Sequence, residues 1–231
     1  MGRPLSESAN PDGVDVIVLP GACSSGLTWS RVPGIEKMHV LPLPGFDTVE
    51  AMAEAVEKQL PATDRPRIVV GASLGAMVGL QLLQTVRFDA FIALATGFGI
   101  HVDTQVLDRI RESPEDVLMR TARSSLANRD AGDLLEIAVE DLRSRGRDVL
   151  ISHLTALGSY DPKVPDELPE TVVVWGSGDR SVPLEDHVSL ARTMKGVLAP
   201  VDGAGHLPFL ERPDDVARII SREVRRLCRE N

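Results

Sequence analysis

Residues 67–83 constrain the fold of this chain more than any other stretch. Arg67-Ile68-Val69-Val70 is a short β-branched run, Gly71-Ala72-Ser73-Leu74-Gly75 is a G-x-S-x-G turn, and Ala76-Met77-Val78-Gly79-Leu80-Gln81-Leu82-Leu83 is an apolar run suited to a buried helix. A strand that passes into a helix through so few residues needs a sharp, strained turn. Glycines at 71 and 75 keep side chains out of the crowded approach between the two elements. Ser73 then stands at the apex, beyond the end of a strand and beside a helix N-terminus.

The rest of the chain repeats the alternation of strand and helix. Val14 to Leu19 reads as a strand closed by Pro20-Gly21, and Val40 to Leu43 as a second, closed by Pro44-Gly45. Asp47 to Leu60 reads as a helix capped by Asp47, with Glu50 as the reciprocal partner. Val49, Met52, Ala53, Val56 and Leu60 give it an apolar stripe. Strands are expected at Ile68 to Val70, Ala90 to Leu94, Thr171 to Trp175 and Val197 to Val201. Their near-continuous apolar character suits a parallel sheet covered on both faces. Helices follow at Leu184 to Met194 and Pro213 to Leu227. The pattern predicts an α/β fold with a mostly parallel sheet of about six strands, built as one domain over residues 1–231.

Between residues 98 and 160 the rhythm changes. The segment has no convincing strand and breaks into helical stretches near 104–112, 114–126, 130–144 and 147–157. It reads as a helical cap inserted in the α/β domain and is expected to roof Ser73. Its charged residues are of both signs and read as solvated.

Reactive groups in such a sheet belong outside the C-terminal ends of the strands. Three candidates meet that condition: Ser73, then Asp179 four residues beyond Trp175, then His206 after the last strand. The chemistry calls for these types. A serine hydroxyl needs a base to take its proton during attack, and a carboxylate fixes the imidazole tautomer and stabilises the imidazolium. The oxyanion formed by attack needs backbone N–H donors. Leu74 supplies one, and the loop after the first strand supplies the other, with Ala22 the expected donor and Cys23 the neighbouring alternative. Asp161 and Asp202 fit the acid role less well, because one precedes its strand and the other lies on a short approach loop.

Bulk properties exclude other classes. The 231 residues carry 34 acidic and 25 basic side chains, a formal net charge of −9, which disfavours binding to nucleic acid. No apolar run reaches the roughly 18 residues of a membrane span. Two cysteines, Cys23 and Cys228, make no disulfide framework and fit a reducing compartment. Residues 1–13 are polar and read as a loose leader lacking the apolar core of a secretory signal. A cytoplasmic protein, monomeric or homodimeric, is expected. No metal-spaced cluster or nucleotide fingerprint is present, so neither metal nor cofactor is expected.

These motifs together resemble the α/β-hydrolase superfamily, in its branch of small capped serine esterases, thioesterases and hydroxynitrile lyases. Gly71 to Gly75 matches the nucleophile elbow. Trp175-Gly176-Ser177-Gly178-Asp179 with Val182-Pro183 resembles the acid loop. Gly203-Ala204-Gly205-His206 with Pro208, Glu211 and Pro213 resembles the histidine loop, and Gly21-Ala22-Cys23 with Trp29 the oxyanion loop. Pro20 departs from the family's usual histidine and removes a side-chain bond that would brace this loop. Two strands that usually open the fold are expected to be absent or vestigial.

The resemblance implies an acyl-enzyme mechanism on a small or medium carboxylic ester, with an acyl thioesterase or a carbon–carbon bond hydrolase or lyase as alternatives. A binding protein on the same scaffold is the non-enzymatic alternative. Cys23, Ser24, Trp29, Phe98, His101, Tyr160 and Leu207 are the expected substrate contacts. An aromatic content of 3% favours an aliphatic acyl group over a stacked ring.

Overall fold

A computed structural model of the protein describes residues 13–99, 105–129 and 131–230. Six strands form one sheet: β1 (Asp15–Leu19), β2 (His39–Val40), β3 (Arg67–Ala72), β4 (Ala90–Leu94), β5 (Glu170–Gly176) and β6 (Val197–Val201). Their order is β2-β1-β3-β4-β5-β6, and every neighbouring pair is parallel. The chain moves outward from β1 to β2 and then returns past β1 to β3. The strand order therefore reverses between β1 and β3, the position where open parallel sheets open a crevice for ligands.

Parallel strands need covered faces, and alternation along each strand divides the core in two. Val16, Val18, Ile68, Val70, Ile92 and Val174 face one side, where Val216, Ile220 and Val224 of α9 (Pro213–Glu230) pack on them. Ile17, Leu19, Val69, Phe91 and Val173 face the other side. There they meet α1 (Val49–Glu57), α2 (Leu74–Leu82) and α7 (Leu184–Thr193).

Two expectations shift. The strand expected at 40–43 pairs only at His39–Val40. Leu41 still donates to the Val18 carbonyl at 2.9 Å, but Pro42 and Pro44 have no N–H to extend the ladder. Helix α1 begins at Val49, and its cap is Thr48 rather than Asp47. Thr48 is extended, and its hydroxyl accepts from the Ala51 N–H at 3.2 Å.

Between β4 and β5 run α3 (Gln105–Glu112), α4 (Pro114–Ser125), α5 (Gly132–Arg145) and α6 (Arg147–Ser159). They pack on one another, on the 3-10 turn Leu27–Trp29 and on α2. Among the described residues no helix is long and apolar enough to cross a membrane.

Candidate active site

Ser73 sits at the end of β3 with φ 51° and ψ −117°, a region that non-glycine residues rarely occupy. Its N–H donates to the Leu94 carbonyl of the neighbouring strand at 2.9 Å. The turn depends on its glycines. A Cβ on Gly71 would strike the backbone of Gly75 and Ala76, and one on Gly75 would strike the carbonyl oxygens of Leu19 and Pro20.

Asp179 and His206 come from the loops after β5 and β6. The Asp179 side chain is fully buried. Its Oδ1 accepts from the N–H groups of Ser181 at 2.8 Å and Val182 at 3.2 Å, and its Oδ2 lies 2.9 Å from His206 Nδ1. Burial pushes the carboxyl upward, but the bonds from His206 and the two N–H groups outweigh it and hold Asp179 below its ordinary range. With Nδ1–H donating to this carboxylate, the neutral ring keeps its lone pair on Nε2.

The two loops are stitched to each other and to the helical segment between β4 and β5. Gly178 N–H donates to the Ala204 carbonyl at 2.8 Å, and Gly203 N–H to Ser177 Oγ at 3.0 Å. His206 N–H donates to the Ser125 carbonyl of α4 at 2.7 Å. Glu211, on the short helix α8 (Pro208–Glu211), accepts from Gly205 N–H at 2.6 Å and Ala127 N–H at 2.8 Å. Burial raises its carboxyl above the ordinary range in spite of these bonds.

Ser73 and His206 line one cavity of about 380 Å³. Gly21, Ala22, Ala72 and Leu207 form part of its floor and sides. Val106, Val117, Ala138, Leu142, Leu150, Leu154 and Leu157, from α3, α4, α5 and α6, supply apolar walls. Thr121 and Ser124 are exposed lining residues and mark a mouth.

The expected substrate contacts divide. Ser24 and Leu207 line the cavity; Cys23, Trp29, Phe98 and Tyr160 are not among its lining residues. Trp29 is fully buried and stacks on Phe209 with ring centroids 4.2 Å apart, so it supports the floor from beneath. Cys23 turns its thiol toward the Leu142 carbonyl of α5 at 3.2 Å, and burial pushes that thiol up to about 11. Phe98 packs against the α2 side of the core. Tyr160 packs there too and donates its hydroxyl to Gln81 Oε1 at 3.1 Å. His101 lies outside the described residues. Ser24 reaches the cavity wall, but its hydroxyl is committed to Asp141 at 2.6 Å.

Asp141 and His153 went unnoticed among the cap's charged and polar residues. Asp141, expected to be solvated, is 1% exposed, and His153 is fully buried. Each lies on the apolar stripe of its helix: Asp141 one turn from Ala138, His153 between Leu150 and Leu157. A polar residue at such a position was the available signal. Asp141 accepts from the 24–28 segment, and the ordinary values of both groups are displaced. Burial pushes the Asp141 carboxyl upward, but the hydroxyls of Ser24, Ser25 and Thr28 more than offset it, so it lies below 3.8. Burial pushes the His153 ring downward. Among the described residues no group of three His, Cys, Asp or Glu side chains could hold a metal ion.

Comparison with known proteins speaks to the family and the fold. The family model described as "Alpha/beta hydrolase family" matches residues 16–219. A pimeloyl-(acyl-carrier protein) methyl ester esterase from Methylococcus capsulatus is 30% identical, covering 90% of this chain and 93% of that protein. The corresponding esterase from Aromatoleum aromaticum is 25% identical over 91% of this chain and 98% of its own length. Among solved structures, a thermophilic esterase superposes with a TM-score of 0.80 at 20% identity, covering 92% of this chain and 90% of that one. The type II thioesterase BorB from the borrelidin biosynthetic cluster superposes with a TM-score of 0.70 at 17% identity, over 93% of this chain and 94% of its own. At these identities the structural matches speak to the fold.

Proposed function

The chain belongs to the alpha/beta hydrolase family, and from that premise we propose that it hydrolyses carboxylic esters of small to medium acyl groups through an acyl-enzyme on Ser73. The observation that carries the reading is the 2.9 Å bond between His206 and Asp179 beside a cavity that His206 shares with the strained Ser73. The named relatives are methyl ester esterases, which favours an ester over other substrates of this fold.

Ser73 Oγ attacks the ester carbonyl while His206 Nε2 takes its proton. Asp179 stabilises the imidazolium without accepting that proton. The N–H groups of Leu74 and Ala22 hold the oxyanion. Leu74 opens α2, where an N–H has no intrahelical acceptor, and Ala22 N–H makes no hydrogen bond within the protein among the described residues. Cys23, the alternative donor, already gives its N–H to His153 at 2.9 Å. Collapse of the tetrahedral intermediate passes the proton from His206 to the departing alkoxide. Water then enters and adds to the acyl carbon as His206 takes its proton; collapse of this second intermediate releases the acid, and His206 returns the proton to Ser73 Oγ.

The acyl chain lies along Val106, Leu142, Leu150 and Leu154, with α3 to α6 acting as a lid that excludes bulk water. Ser73→Ala tests the mechanism. It is expected to abolish turnover of p-nitrophenyl butyrate and labelling by a fluorophosphonate probe; undiminished turnover in that variant would refute the mechanism.

A further inference from the structure

The loop after β1 carries the proposed oxyanion donor, yet the side chains that hold this loop come from the cap, more than 100 residues later in the chain. Asp141 on α5 takes three donors on each carboxylate oxygen. Oδ1 accepts from Ser25 N–H at 2.7 Å, Ser25 Oγ at 2.6 Å and Leu27 N–H at 3.4 Å. Oδ2 accepts from Ser24 Oγ at 2.6 Å, Thr28 Oγ1 at 2.7 Å and Thr28 N–H at 3.1 Å. One carboxylate thus fixes four of the five residues from 24 to 28.

His153 on α6 fixes the other end of the same loop. Its Nδ1 accepts from Cys23 N–H at 2.9 Å, and its Nε2 lies 2.9 Å from the Pro44 carbonyl. A carbonyl can only accept, and Cys23 N–H can only donate, so the ring is neutral with its proton on Nε2. Cys23 is held at φ 56°, a conformation that costs energy and needs such support. Ala22 lies immediately before it and lines the cavity with Ser73.

We propose that Asp141 and His153 are positioning residues: by gripping the 23–28 segment from the cap, they aim the Ala22 N–H at the reacting carbonyl, so the seated cap sets the oxyanion site. The inference rests on the oxyanion role proposed above for Ala22. It predicts a loss in the chemical step rather than in substrate binding, because a displaced donor matters where negative charge develops.

Asparagine is the informative replacement at 141. Each oxygen of Asp141 faces a backbone N–H, that of Ser25 on one side and Thr28 on the other. Either orientation of the amide sets its NH2 against a donor, so a nearly isosteric change breaks the grip. At 153 the matching change is His153→Ala, which frees Cys23 N–H without altering the carboxylate.

The test measures kcat and KM for p-nitrophenyl butyrate, together with the affinity for a trifluoromethyl ketone that forms a tetrahedral adduct on the serine. Asp141→Asn is expected to lower kcat about 100-fold, in the range of a lost oxyanion donor, with KM within threefold of wild type. Ketone affinity should fall in parallel with kcat. His153→Ala should move the same two quantities about tenfold, as expected when one buried N–H loses its partner. Folded variants whose kcat and ketone affinity stay within threefold of wild type would overturn the proposal. A rise in KM with both of those unchanged would overturn it too, since the residues would then only shape the pocket. If Asp141→Asn does not fold, His153→Ala decides by the same criteria. Full turnover by Ser73→Ala would remove the function proposed above; loss there with intact positioning variants would remove only this inference.

Discussion

His206 Nδ1 and Asp179 Oδ2 lie 2.9 Å apart, with the aspartate side chain wholly buried and the imidazole 14% exposed. The carboxylate accepts from Ser181, Val182 and His206, and these three bonds on its two oxygens fix its orientation. Asp179→Asn keeps the size but presents the wrong partner to Nδ1. Turnover is expected to fall about 10⁴-fold, with the circular dichroism spectrum unchanged. A near wild-type rate in Asp179→Asn, alongside an inactive Asp161→Asn, would assign the acid elsewhere.

Asp141 gives a pH prediction with a definite sign. Its carboxyl lies below its ordinary value of 3.8 in the folded protein. A depressed folded pKa contributes stability that is fully present above the ordinary value and is lost as pH falls through the folded one. The difference in urea stability between wild type and Asp141→Ala should therefore be steady from pH 7 to about 5 and narrow progressively as pH falls through 3.8 and below. Narrowing near neutrality would show that another group carries the effect.

Gly75 is a steric requirement that stability can report. Its added Cβ would meet the carbonyl oxygens of Leu19, the last residue of β1, and of Pro20 just beyond it, and this backbone cannot swing aside. Gly75→Ala is expected to lose ~2 kcal/mol or more, the upper part of the range for overpacking. Gly132→Ala, at the start of α5 with nothing near the added Cβ, is the control and should be neutral or slightly stabilising. Equal urea midpoints for the two variants would refute the steric account.

Leu154 tests the acyl cavity. It lines the roof from α6 and is half-buried, so a larger side chain can be accommodated by filling the space. Leu154→Trp should lower kcat/KM for an octanoate ester about tenfold or more relative to the acetate, the scale set by a few apolar contacts. An unchanged chain-length profile would move the acyl group out of this cavity.

What could be read from the sequence was local. The G-x-S-x-G turn writes its requirements into adjacent residues, so Ser73 and the ends of β3 and α2 follow from pattern alone. Asp179 and His206 each follow a strand within a few residues and inherit their placement from the sheet. Asp141 and His153 were hidden because their partners are 109 to 130 residues away. Only the folded chain brings α5 and α6 against the loop after β1. Trp29 misled for a related reason: it is close in sequence to Ala22 but turns away from the cavity to stack on Phe209. Where the family resemblance implied a missing brace at Pro20, Asp141 and His153 supply side-chain bonds to the loop, beside the loop's own internal ones.

The four cap helices leave the sheet after β4 and return to its immediate neighbour, β5. By that connectivity they form a cassette that a protein engineer could exchange at two junctions. The bonds from Asp141 and His153 redraw the boundary of that cassette. A graft that brings in foreign helices alone would leave residues 23–28 ungripped, whereas one that transfers those residues with the helices would carry its own clamp. On the proposed reading, the segment to transplant is therefore discontinuous in sequence.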